Sequence, residues 1–151
     1  EIFDARRLLE DGIVAEAARE CSRVDADMLK NMSRLEHKCI EEQNISGAIR
    51  LSGDIHLKLA EIAGNRPLRE LLRQLVAQTS LAIALYVPAG KGMCDDDEHD
   101  RLIAAIESGN AGLSRTIMRE HLSICERRLM LETSETTSDL RAIFADVVVA
   151  Q

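Results

Sequence analysis

The sequence predicts an all-α fold, an antiparallel bundle of six to seven helices. Three observations support this. Only 2 prolines and 8 glycines interrupt 151 residues, leaving long uninterrupted stretches between sparse punctuation. Apolar residues in those stretches recur at helical rather than strand spacing. With 2 Phe, 1 Tyr and no Trp, the core must be built from Leu, Ile, Ala, Val and Met, which pack well between helices.

The first helix is expected from about Ile2 to Cys21, with Leu8, Leu9, Ile13 and Ala17 inward and an irregularity at Asp11-Gly12. A second starts after Asp25 as N-cap and places Met28, Met32, Leu35 and Cys39 on one face. The third, about Ile45 to Ala63, carries a stripe through Ile45, Ile49, Ser52, His56, Leu59 and Ala63, so two polar side chains sit in an apolar row. Gly64-Asn65 stops that helix and caps the fourth, where Pro67 in the first turn costs no hydrogen bond. Leu68, Leu72, Leu75, Thr79, Ile83 and Tyr86 line the fourth.

Val87 to Cys94, with Pro88, Gly90 and Gly92, reads as the longest loop and the one to move. Asp95, Asp96, Asp97 and Glu98 then form an acidic first turn, suited to the positive end of a helix dipole and read as capping. The fifth helix bears His99, Leu102, Ile103 and Ile106 and ends at Gly109. Asn110 caps a sixth with Leu113, Ile117, His121 and Ile124 inward. The polar stretch Thr133 to Ser138 leads into a short last helix at Leu140 to Val148.

Apolar residues at 46% and charged residues at 30% are the balance of a soluble globular protein, and the length suits a single domain, 1–151. A net charge of −7 repels a phosphate backbone, which argues against direct nucleic-acid binding. Nothing approaches the roughly 20 apolar residues of a membrane helix, and the charged start is no signal peptide, so the chain reads as cytoplasmic. Cys21, Cys39, Cys94 and Cys125 form no CxxC pair, against a zinc knuckle or a disulfide framework. The chain begins in mid-helix without an initiator Met, as an excised domain would.

Of the four histidines, His56, His99 and His121 fall on apolar stripes, whereas His37 lies off its stripe and is expected in solvent. His99 lies ten residues before Gly109 and His121 twelve after it. In an antiparallel hairpin their heights differ by only about 3 Å. Buried imidazoles need their nitrogens satisfied, either by separate core hydrogen bonds or together by one divalent cation. There is no HExxH, and no histidine has Glu three residues before it, which excludes a zincin and a di-iron carboxylate bundle.

The ordered series Asp4, Arg6, Leu9 and Glu10, then His56 to Asn65, then His99 to Asn110, then Met118 to Leu122 resembles the FCD domain. This is the C-terminal effector domain of FadR-subfamily GntR transcription regulators. The resemblance implies a dimeric, non-enzymatic regulator whose N-terminal winged-helix DNA-binding domain lies outside this chain. It implies one divalent transition metal, zinc, nickel or similar, on His56, His99 and His121, and a cavity for a small organic acid lined by Arg6 and Ser52. The family often has Asp or Asn where Ser52 stands, and Asp54 points roughly 160° away around the helix. An ion on three neutral imidazoles with a neutral serine keeps its charge, so an effector carboxylate is expected to supply the missing anion and Arg6 a charge-assisted pair. Metal-dependent catalysis at a three-His site and a purely structural dimerisation module are the alternative readings.

Overall fold

In a computed structural model the chain is described over residues 1–86 and 97–148, with side chains described up to residue 131. Every regular element among these residues is a helix: α1 Ile2–Glu20, α2 Arg23–Glu41, α3 Ile45–Ile62, α4 Arg66–Tyr86, α5 Glu98–Glu107 and α6 Ala111–Val148. The loop expected at Val87 to Cys94, and the acidic residues Asp95 and Asp96, lie outside the described residues.

The punctuation acts as read. Gly64 and Gly109 take left-handed φ angles of 72° and 70°, which glycine adopts without a Cβ clash. Asn65 and Asn110 cap the helices that follow, accepting from Leu68 N at 3.2 Å and Leu113 N at 3.0 Å. The start of α2 needs correction. Its N-cap is Ser22, whose hydroxyl accepts from Asp25 N while the Asp25 carboxylate accepts from Ser22 N, a reciprocal capping box. Asp25 therefore sits one turn inside the helix rather than before it.

Helix α1 packs on α3, α4, α5 and α6, and α2 docks on α3 and α5. The core runs through Ile13, Val14 and Ala17 of α1, Leu29 of α2, Ile55 and Leu59 of α3, Leu72 of α4, Leu102 and Ile106 of α5, and Met118 and Leu122 of α6. Gly53 lets α3 approach α4: a Cβ there would stand 2.9 Å from Val76 Cγ1. Ser33, fully buried on α2, donates to Asp100 of α5 at 2.6 Å, joining those helices through a polar contact.

Two faces differ from expectation. On α1 the inward row is Phe3, Arg6, Glu10, Ile13, Val14 and Ala17, and Leu8 is 83% exposed. On α2 the buried row is Ala26, Leu29, Ser33 and Glu36, while Met28 and Leu35 face solvent and Met32 is half-buried. In both helices the core needs polar groups that the apolar pattern passes over. Leu113 and Tyr86 are likewise exposed. Helix α6 continues through Thr133 to Ser138 without a break, so no separate short last helix forms.

Leu59 is fully buried, so Leu59→Ala is expected to cost about 2–5 kcal/mol by deleting buried methyls and leaving a cavity. Loss of the capping box in Ser22→Ala should cost about 1 kcal/mol. Chemical denaturation midpoints check both, and equal effects of the two changes would contradict this packing.

Candidate functional site

The three histidines that periodicity placed inward meet at the centre of the bundle. His56 of α3, His99 of α5 and His121 of α6 are 2%, 3% and 3% exposed. Their ring centroids lie 5.6 Å (His56 to His99), 5.1 Å (His56 to His121) and 4.8 Å (His99 to His121) apart. One ring nitrogen from each falls within 4.8 Å of the others. His37 stands apart, half-buried, with Nε2 3.9 Å from Asp100 Oδ2.

Each of the three imidazoles turns its Nδ1 to a buried glutamate on another helix or another turn of the bundle. His99 Nδ1 is 2.7 Å from Glu36 Oε2 and His121 Nδ1 is 2.7 Å from Glu98 Oε2, while His56 Nδ1 pairs with Glu10 Oε2. An ionised carboxylate only accepts, so Nδ1 carries the hydrogen in all three rings and each Nε2 is left as a lone pair facing the centre. His56 Nε2 and His121 Nε2 are 3.2 Å apart, and buried His99 Nε2 has no hydrogen-bond partner among the described residues. Two lone pairs that close repel unless a positive charge lies between them. A tetrahedral ion with nitrogen ligands at about 2.0–2.1 Å spaces those nitrogens about 3.3 Å apart, close to what is found. The donor set therefore fits a divalent transition ion.

The charges agree. The buried charged side chains among the described residues are Glu10, Glu36, Glu98 and Arg6, three negative and one positive. A divalent cation cancels the difference. This corrects the expectation that an ion here lacks a counter-anion: three carboxylates in contact with the far side of the imidazoles already provide negative charge.

Arg6 faces the interior and is 5% exposed. Its Nε donates to Glu10 Oε1 at 2.6 Å and its Nη1 to Thr79 Oγ1 at 3.0 Å, while Nη2 is buried with no partner among the described residues. Ser52 is half-buried one turn before His56, and its hydroxyl makes no hydrogen bond among the described residues. Asp54 pairs with Arg50 at 3.0 Å on the outer side of α3 and does not replace an acidic ligand.

The sequence reading missed three partners. Glu98 belongs to the acidic run read as capping, yet it is 4% exposed and bound to His121. Asp97, the N-cap residue, makes no side-chain cap bond. Glu36 follows Leu29 at helical spacing on the face that the Met28 stripe displaced. Glu10 follows Arg6 by one turn, a signal that was present in the motif and read only as resemblance. Cys125, one turn after His121, is also buried, with Sγ 3.8 Å from His121 Nε2.

A model of the FCD domain matches residues 1–123. The chain belongs to the FCD domain family. It is 30% identical over 130 residues to the Uxu operon regulator of Haemophilus influenzae, covering 81% of this chain and 47% of that protein. It is 28% identical over 143 residues to the Uxu operon transcriptional regulator of Escherichia coli, covering 86% and 53%. The chain thus spans about half the length of these curated relatives. The solved structure of E. coli McbR/YncC superposes with a TM-score of 0.79 at 17% identity, covering 88% of this chain and 64% of that one, so the FCD-like helical fold is shared. No helix among the described residues is long and apolar enough to cross a membrane.

Without a metal the cluster holds a proton instead. Burial pushes His56 down to about 4 against the pull of Glu10. Burial would raise Glu10, but the charges of His56 and Arg6 take it down to about 2. Burial opposes charge on His121 as well, yet Cys125 and Glu98 beside it push the imidazole up to about 10. A lowered His56 stabilises the fold fully above its ordinary value near 6.5, and that contribution is lost as pH falls toward 4. The raised His121 stabilises fully below 6.5, and that contribution is lost as pH rises toward 10. Melting temperature of the chelated chain should therefore peak at about pH 6.5 and fall on both sides. A profile rising or falling steadily from about pH 5 to about pH 9 would contradict these assignments.

Proposed function

We propose that this chain is the ligand-sensing module of a transcription regulator. In this reading His56, His99 and His121 hold one divalent transition ion, zinc, nickel or similar, and the ion together with Arg6 and Ser52 binds a small organic acid. The observation that carries it is the convergence of three buried imidazoles whose Nδ1 partners are all carboxylates. Such an arrangement fixes the tautomer and makes each imidazole a stronger donor.

The organic acid is supported by Arg6. Nε and Nη1 are engaged, so the remaining buried donor Nη2 is available to a carboxylate oxygen, a contact worth roughly 1.5–3 kcal/mol net. Ser52, neutral and without a hydrogen bond among the described residues, lies on the face of α3 that leads to His56 and suits a ligand oxygen.

The regulator reading draws on the FCD family and on the two Uxu operon regulators that the chain resembles. Since the chain spans half of each, DNA binding is assigned to an N-terminal winged-helix domain outside it, consistent with the net charge of −7 here. The whole protein acts as a homodimer. Glu10 and Arg6 lie on α1, so a ligand at the ion acts directly on the first helix. The effector regulates only by binding one packing of that helix better than another.

Protein purified without added metal should contain about one equivalent of a divalent transition ion per chain. His56→Ala, His99→Ala and His121→Ala should each lose it, and His37→Ala should keep it. Elemental analysis checks this, and wild-type metal content in all three variants would sink the assignment.

Calorimetric titration of a panel of organic acids should find a ligand that binds at least about tenfold more weakly to Arg6→Lys, which keeps a charge beside Glu10 but loses the planar fork. Chelation should weaken the same acid. If the best acid binds equally well to the chelated protein, or only neutral compounds bind, the organic-acid reading is wrong.

A further inference from the structure

The three-His centre has a neighbour that it does not use. Cys125 lies on α6 exactly four residues after His121, so both side chains project over the same face of that helix. It is 5% exposed, and its Sγ stands 3.8 Å from His121 Nε2, the atom that faces the other imidazoles. Cys125, His121 and Glu98 form a second group of donor atoms within 4.8 Å of one another, sharing His121 with the histidine triad. An independent observation marks the centre as a ligand site: the 3% exposed His99 has its Nε2 buried with no hydrogen-bond partner among the described residues. On α3, Ser52 one turn before His56 is a neutral hydroxyl that is only half-buried.

We propose that Cys125 is a fourth protein ligand of the ion held by His56, His99 and His121, an inference that rests on the three-His reading above. A tetrahedral ion with nitrogen at about 2.0–2.1 Å and sulfur at about 2.3 Å separates a sulfur from a nitrogen ligand by about 3.6 Å. The observed 3.8 Å between Cys125 and His121 is close to that edge, as is the 3.2 Å between His56 and His121 to the nitrogen edge. As the metal–sulfur bond forms, the thiol proton passes to solvent and the cysteine binds as thiolate. A thiolate is soft, so the centre selects zinc over manganese and magnesium. With four protein ligands, an effector oxygen would bind the ion only by raising it to five ligands, a number that zinc sometimes takes.

Cobalt(II) as the probe tests this directly. The chelated full chain, titrated with cobalt(II) chloride alone, should develop visible ligand-field bands from the imidazoles and, in the near ultraviolet, an intense thiolate-to-cobalt charge-transfer band. Cys125→Ser should lose the charge-transfer band and keep the ligand-field bands, while Cys21→Ser and Cys39→Ser keep both. Zinc X-ray absorption of the unmodified chain supplies a measurement that needs no variant, with one sulfur expected at about 2.3 Å. Ligand-field bands without charge transfer, a charge-transfer band that survives Cys125→Ser, or a zinc shell of nitrogen and oxygen only would overturn the Cys125 assignment and leave the three-His centre standing. No cobalt spectrum at all would overturn both.

Discussion

Three imidazole–carboxylate pairs hold the middle of this bundle together. Glu10 of α1 pairs with His56 of α3, Glu36 of α2 with His99 of α5, and Glu98 of α5 with His121 of α6. Each glutamate is nearly inaccessible to water, and an unpaired carboxylate so placed would cost several kcal/mol. The pairs offset that cost and reach five of the six helices. The sixth, α4, joins through Thr79, whose hydroxyl accepts from Arg6 and donates back to a backbone carbonyl of its own helix. The apolar core surrounds this network rather than replacing it.

The pairs also determine what the histidines can do. Had any Nδ1 lacked a carboxylate, that ring could take either tautomer and satisfy itself with a neighbour. With all three Nδ1 positions donating outward, the Nε2 atoms are forced to face one another as acceptors. A cation at the centre would satisfy this arrangement. A proton on His121 fills the role partly, since it bridges two of the three nitrogens and leaves His99 Nε2 without a partner among the described residues. A metal ion meets all three.

The sequence pattern found the histidines and missed the glutamates for one physical reason. His56, His99 and His121 sit in rows that are otherwise apolar, so helical periodicity places them inward without help from any other helix. Glu10, Glu36 and Glu98 are buried only because a histidine on another element meets them, and spacing within a helix carries no record of that. Given that rule, an apolar Leu8 or Met28 outranks a nearby glutamate, and both inward faces rotate away from their true positions. Glu98 shows the same effect: next to Asp97 at a helix start, it reads as one more favourable charge on the dipole until His121 is known to stand opposite it. The resemblance to the FCD domain carried Arg6 inward where periodicity did not, because a family motif stores pairings between helices that one helix alone does not display.

The position of the pairs explains why α1 is the element best placed to report on the site. Arg6 and Glu10 are one turn apart on its inner face, and Glu10 divides its two oxygens between Arg6 and His56. Anything that draws His56 toward the centre pulls on Glu10, and anything that recruits Arg6 loosens Glu10 from the other side. The two influences meet on one carboxylate. Helix α1 also packs on α3, α4, α5 and α6, so a displacement of it would be felt by each of them. In the proposed regulator, the energy for that displacement is the difference in effector affinity between two positions of α1, and the Glu10 carboxylate is where that difference is set.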